Sequence, residues 1–253
     1  MTHSPSNYPN GQAKPDCSAT ITYRARPLGE RPASPNNHPA KVARMRFILA
    51  SASPARLGIL EKAGIDPVVR VSGIDEDAVA ASLINPTHAD LVTALATAKA
   101  EAVAALVVDE YPNSVVVGCD SMLAMPGPQG MQIVGKPANR QQAWDRWQYM
   151  RGNKGELLTG HCVIRITDGK IAATAADSLS TTVRFDTPTD AELNAYLATK
   201  EPLTVAGAFT LDGLGGWFVQ GVDGDPLSII GISLPLTRAL LTKVGVNVTD
   251  LWN

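Results

Sequence analysis

Cysteine is too sparse in this chain to staple it or to build a zinc knuckle. Its three residues, Cys17, Cys119 and Cys162, are odd in number and far apart, with no C-x-x-C pair among them. A reducing cytoplasm is the simplest setting for such a pattern. Histidine is thin as well. His3 and His38 lie in a proline-rich stretch, His88 in a polar one, and only His161 sits within an apolar run, so a histidine-built metal site is not expected. Long apolar runs are missing too. None approaches the roughly 20 residues of a membrane span, and the first residues lack the apolar core of a signal peptide. A formal net charge of -2 leaves no global basic field, which argues against extended nucleic-acid binding while allowing a local Lys and Arg cluster to hold a small anion. No Walker A loop, G-x-G-x-x-G turn or G-x-S-x-G elbow occurs, so His161 does not belong to a hydrolase triad of the nucleophile-elbow kind.

What is present suffices for a large core: 253 residues, 45% of them hydrophobic. Residues 1–44, with "HSPSNYPNGQAKP" and "GERPASPNNHPAK", have no hydrophobic period and cannot offset the entropy of ordering. They read as a disordered extension, or as the product of an early assigned start codon, since Met45 immediately precedes the first folded segment. Residues 45–253 form the folded domain.

From Phe47 onward short apolar runs alternate with helical periods, which predicts an α/β fold with a mixed sheet and flanking helices. "RFILAS" is the first strand. Ser53 then caps a helix with Pro54 at its first position, ended by Gly64. "PVVRVS" is a second strand leading into the acidic "GIDED", and an alanine-rich helix spans about 88–107. "VVVGCDSMLA" is a strand with a carboxylate inside an apolar run. Asn139 and Gln142 predict a capping box for a helix running to about Met150 and stopped by Gly152, and Asp168-Gly169 predicts a hairpin turn. Thr189 and Glu192 are a stronger capping box. A further hairpin is expected within "GWFVQGVDGDPLSIIG", followed by a last helix near Pro235.

Four constellations could carry chemistry. In "SASPARLGIL" a strand-to-helix turn offers free backbone N–H groups, and Arg56 in the first turn adds charge-assisted hydrogen bonds suited to phosphate; an ordinary Ser-Pro helix start looks the same. "GIDED" is either a solvated loop or a source of oxygen ligands for Mg²⁺ or Mn²⁺. Asp120-Ser121 is read as lying at a strand end, where open α/β sheets present functional groups. A charge there is costly to bury unless it is paired or bound to a cation. In "VGKP", Gly135 allows a bend and Lys136 points an ammonium at whatever fills the cleft, although lysine is commonly only a solvated charge.

The order of these pieces resembles the Maf family of nucleoside triphosphate pyrophosphatases: "LASASPARLGIL", "DED", "AKAEAVA", "VVVGCDSML", "VGKP", "TGHCVI" and "VAGAFTLDGLGGWFVQGVDGDPLSIIGISLPL". The match spans nearly everything from Met45, and looks close to the branch with Cys-Asp-Ser where many members have Ala-Asp-Thr. The resemblance implies an elongated α/β fold similar to that of the inosine triphosphate pyrophosphatases, with a nucleotide between two lobes. It implies phosphate contacts from Ser51, Arg56, Lys99 and Lys136, and metal binding and water activation by Glu76 and Asp120, with Mg²⁺ or Mn²⁺ as cofactor. The substrate would be a nucleoside triphosphate, cleaved to the monophosphate and pyrophosphate as a house-cleaning activity against unwanted nucleotides. A homodimer is compatible with all of this.

Three positions depart from the family pattern. Ala55-Arg56 stands for an arginine pair, Val205 for a lysine, and Asp212 falls in the context of "GIQG", associated with base recognition. The narrow base preferences of particular branches are therefore not carried over. Two other classes compete: a non-enzymatic regulator of septum formation, which would not need Glu76, Asp120 and Lys136 all retained, and a nucleotidyltransferase, which would need an acceptor signature that the sequence lacks.

Overall fold

The computed structural model describes residues 45–253; the expected extension, and Cys17 with it, lies outside the described residues. The chain runs β1 (Arg46–Leu49), α1 (Pro54–Lys62), β2 (Val68–Val69), α2 (Glu76–Ser82), α3 (His88–Val107), β3 (Ser114–Gly127), β4 (Gly130–Val134), α4 (Arg140–Met150), β5 (Lys154–Thr167), β6 (Lys170–Phe185), α5 (Asp190–Leu197), β7 (Val219–Asp223), α6 (Pro226–Ile230) and α7 (Leu234–Lys243), with short 3₁₀ turns between α5 and β7 and after α7. This is the mixed α/β fold expected. The seven strands form one sheet in the order β2-β1-β3-β5-β6-β7, with β4 added along β3. The pairings of β1 with β2 and β3 are parallel, and the others are antiparallel.

Local signals set most boundaries. Ser53 accepts from Arg56 N at the start of α1, and Thr87 with Asp90 and Thr189 with Glu192 form reciprocal capping boxes for α3 and α5, each cap contributing about 1 kcal/mol. Asn139 accepts from Gln142 N as expected, but the Gln142 carboxamide reaches Ala138 N instead of the cap, so this box is only half formed. Asp168 and Gly169 both have positive φ and close the long β5–β6 hairpin. Two expectations fail. "GIDED" is not a loop throughout, because Asp75 caps α2 and Glu76 is its first residue. No second hairpin forms in "GWFVQGVDGDPLSIIG": β7 pairs with β6 alone, and the Asp225 carboxylate, accepting from Leu227 N with Pro226 at the first position, turns the chain into α6.

The long strand β3 organises the core. Its N-terminal half carries Val115 and Val117 against α1 and α7 through Leu60, Leu240 and Leu241. On the opposite face Val116 packs with Ile48, Ile164 and the alanines Ala96, Ala100 and Ala104 of α3. The C-terminal half carries Leu123 and Met125 into a separate cluster with Leu157, Phe185 and the fully buried Trp147. Trp147 meets Phe185, Tyr196 and Phe218 edge to face and donates its indole N–H to the Ala208 carbonyl at 3.0 Å. At roughly 25 cal/mol per Å² its burial is worth about 4–6 kcal/mol. Among the described residues no helix is long and apolar enough to cross a membrane.

Two glycines let α3 lie directly on the sheet. A Cβ at Gly118 would stand 2.3 Å from the Ala96 carbonyl oxygen, and one at Gly160, the pairing partner of Asp120, 2.1 Å from that of Val92. Any larger residue pushes the helix off. That close seat is what brings Lys99 of α3 down to β3.

Candidate active site

The neighbours of β3 leave an opening along one of its edges. There, β1 pairs with Ser114–Val117 and β4 with Leu123–Gly127, so residues 118–122 face no strand on that side, while β5 runs unbroken along the other edge. Asp120 and Ser121 sit in this gap. Asp120 is therefore in the middle of a 14-residue strand and not at a strand end, as the sequence suggested. The strand that ends beside it is β1, at Leu49 opposite Val117.

Strand alternation sends the two neighbours to opposite faces. Asp120 falls on the α3 face, 6% exposed, and its Oδ1 accepts from the Lys99 ammonium at 2.6 Å. The same ammonium lies 2.7 Å from Glu76 Oε1 at the start of α2. Asp120 Oδ2 is buried and has no hydrogen-bond partner. Burial pushes the Asp120 carboxyl above the ordinary carboxylate range, opposed by the positive charges of Lys99 and Arg56, with Glu76 adding to the rise.

Ser121 falls on the α1 face and meets Arg56, whose guanidinium is held on three sides. Nε donates to the Gly231 carbonyl at 2.8 Å, Nη1 to Ser51 Oγ at 3.0 Å and Nη2 to Ser121 Oγ at 3.3 Å. Ser51, at the end of β1, also accepts from Ser53 N at 3.2 Å. Ser121 continues into a buried run of hydroxyls: Thr159 Oγ1 lies 3.1 Å from Ser121 Oγ and donates to the Ser228 carbonyl at 3.0 Å, and Ser228 Oγ lies 2.9 Å from Thr181 Oγ1.

Of the expected site residues, Ser51 and Arg56 stand together on one face of the gap, and Glu76, Lys99 and Asp120 on the other. Lys136 follows β4; it is exposed and makes no ion pair or hydrogen bond with the rest. Its turn is braced from behind, the Gly135 carbonyl accepting from Arg146 Nη1 at 2.8 Å and from Gly207 N at 3.1 Å. Asp212 is exposed and its carboxylate accepts from the Thr210 hydroxyl. Cys119 and Cys162 are buried free thiols pushed up to about 11 by burial, and are not nucleophiles. Reading the sequence missed the Arg56 contacts to Gly231 and Ser121 and the Thr159 hydroxyl behind them; the one available signal was Thr159-Gly160-His161 interrupting the apolar stretch of β5.

A divalent cation fits this arrangement in one specific way. Among the described residues no group of three or more His, Cys, Asp or Glu is placed to hold a metal. Glu76 with the unpartnered Oδ2 of Asp120 is a two-carboxylate set, which suits Mg²⁺ shared with substrate phosphates more than a cage made by protein alone.

Residues 46–244 match the family described as Maf-like protein. A nucleoside triphosphate pyrophosphatase of Saccharopolyspora erythraea is 62% identical over 208 residues, covering 82% of this chain and 97% of that protein. Proteins of the same name from Rhodococcus erythropolis and Nocardia farcinica are 55% and 57% identical over 210 and 207 residues, covering 82% and 81% of this chain and 96% of each relative. With a match of that length and identity, the chain belongs to the Maf-like protein family.

Proposed function

We propose that the protein hydrolyses nucleoside triphosphates at the α–β phosphoanhydride, releasing the nucleoside monophosphate and pyrophosphate. The observation that carries this is Asp120, a buried carboxylate with one oxygen unpartnered, set in the sheet gap with Lys99 on one side and Arg56 on the other. The names of the relatives support the same reaction.

The anhydride needs a positioned water, a base, and neutralisation of charge on the leaving pyrophosphate. The Asp120 carboxylate accepts a proton from water as the water oxygen bonds to phosphorus. The anhydride P–O bond breaks, and its electron pair leaves on pyrophosphate. Arg56, preset by three hydrogen bonds, and Ser51 hold phosphate oxygens, so little ordering cost falls on the substrate. Lys99 bridges the two carboxylates and offers its ammonium to phosphate; Lys136 adds positive charge from the rim. Glu76 and Asp120 would hold the divalent cation, which supplies charge neutralisation when bound. Base preference is left open, because Asp212 stands at a position that the family resemblance associates with base recognition.

The test is a panel of standard and modified triphosphates with Mg²⁺ or Mn²⁺, scored for monophosphate and pyrophosphate. Equimolar release of the two supports the reading. Release of orthophosphate and diphosphate, or no turnover of any member, contradicts it.

A further inference from the structure

His161 is fully buried on β5, yet the chemistry proposed above does not use it. Its ring joins two backbone groups. Nδ1 lies 3.2 Å from the Thr159 carbonyl, and Nε2 accepts from Ser233 N at 2.9 Å. These partners fix the tautomer: the proton is on Nδ1, and Nε2 is an acceptor. Ser233 is the cap of α7, its hydroxyl accepting from Leu236 N at 3.1 Å. Two residues earlier, the Gly231 carbonyl is what receives Arg56 Nε at 2.8 Å. Gly231 has φ of 129°, and a Cβ there would stand 2.9 Å from Arg56 Nε, so the turn and the guanidinium are in direct contact. Gly231, Ile232 and Ser233 are all buried.

We infer that His161 is a positioning residue for Arg56, acting through the Gly231–Ser233 turn that the imidazole and the guanidinium grip from opposite ends. Without the Nε2 acceptor the buried Ser233 N–H loses its partner, and a buried donor left unmade is relieved by moving the backbone. The Gly231 carbonyl then shifts, and Arg56 loses the shortest of the three bonds that orient it, leaving only those to Ser51 and Ser121. The inference rests on the phosphate-binding reading of Arg56.

The experiment is a double-mutant cycle. His161→Met keeps the volume and removes the acceptor; His161→Gln places a carboxamide oxygen where it can accept from Ser233. Each is made alone and with Arg56→Lys, which has no Nε to give to Gly231. The readouts are KM and kcat for the best triphosphate and calorimetric binding of inorganic tripolyphosphate, which needs no turnover. The expected result is a KM and a tripolyphosphate Kd raised about tenfold in His161→Met with kcat changed much less, recovery in His161→Gln, and less than a twofold further effect of His161→Met once Arg56 is Lys. Should His161→Met not fold, His161→Asn, too short to reach Ser233, takes its place in the cycle. Multiplicative effects of the two substitutions, or a loss of stability with unchanged tripolyphosphate binding, overturn the inference. A wild-type protein that binds tripolyphosphate with the expected coupling but turns over no nucleotide contradicts the reaction and leaves the positioning role standing.

Discussion

The Lys99 ammonium bridges Asp120 Oδ1 at 2.6 Å and Glu76 Oε1 at 2.7 Å, a single cation between two carboxylates from separate elements. Lys99 and Asp120 are largely buried there while Glu76 is half exposed, so the pair with Asp120 is the one that geometry and low dielectric strengthen. The bridge exists because Gly118 and Gly160 let α3 touch the sheet.

Removing that ammonium leaves two uncompensated carboxylates facing one another. Lys99→Met is therefore expected to bind Mn²⁺ more tightly than wild type in the absence of nucleotide, by about tenfold for one opposing charge removed at short range, while triphosphate turnover falls. Calorimetric titration with Mn²⁺ alone reads this directly. Unchanged or weaker Mn²⁺ binding would show that Glu76 and Asp120 are not the cation site.

The proposed reading assigns Arg56 and Lys136 to the phosphate end of the substrate. Replacing either with Ala is expected to weaken every triphosphate by a similar factor, about tenfold or more for a charge-assisted contact, with the order of base preference unchanged. Competition kinetics with mixed triphosphates measure the order. A reordered preference after Arg56→Ala or Lys136→Ala would place that side chain at the base.

His161 gives the fold a defined acid sensitivity. Burial, with a smaller push from Arg56, lowers its pKa to about 4, against the Thr159 carbonyl bond and the charges of Asp225 and Asp177, which raise it. Between the ordinary value of 6.5 and about 4 the unfolded chain takes up a proton that the native one refuses, so this residue makes stability fall as pH falls through that window and adds nothing further below it. Melting temperatures of wild type and His161→Gln from pH 7 to 4 should diverge, with the variant flatter. Parallel curves would mean that His161 is protonated in the native state.

Much of this was legible in the sequence wherever the cause was local. Ser53, Asn139 and Thr189 start their helices through hydrogen bonds within a few residues, and Asp168-Gly169 closes its hairpin through backbone conformation alone. What stayed illegible depends on pairing at a distance. The position of Asp120 within β3 follows from β1 and β4 sharing one edge of that strand, which no window of sequence contains. Likewise β7 pairs across a gap of more than thirty residues with β6, and the segment that read as a hairpin had its partner already taken. The residues that hold Arg56 escaped for the same reason, since Gly231 is 175 positions away.

Asp120→Asn keeps the side-chain shape and removes the negative charge, so it separates chemistry from packing. The central claim predicts a variant that folds, with a melting temperature within the shift expected from about 1–3 kcal/mol for one altered buried hydrogen bond, and that releases pyrophosphate at least about a hundredfold more slowly than wild type at saturating Mg²⁺ or Mn²⁺. The measurement is pyrophosphate release beside the melting curve of the same preparation. A folded Asp120→Asn protein with a near-normal rate would contradict the assignment of Asp120 as the group that activates water.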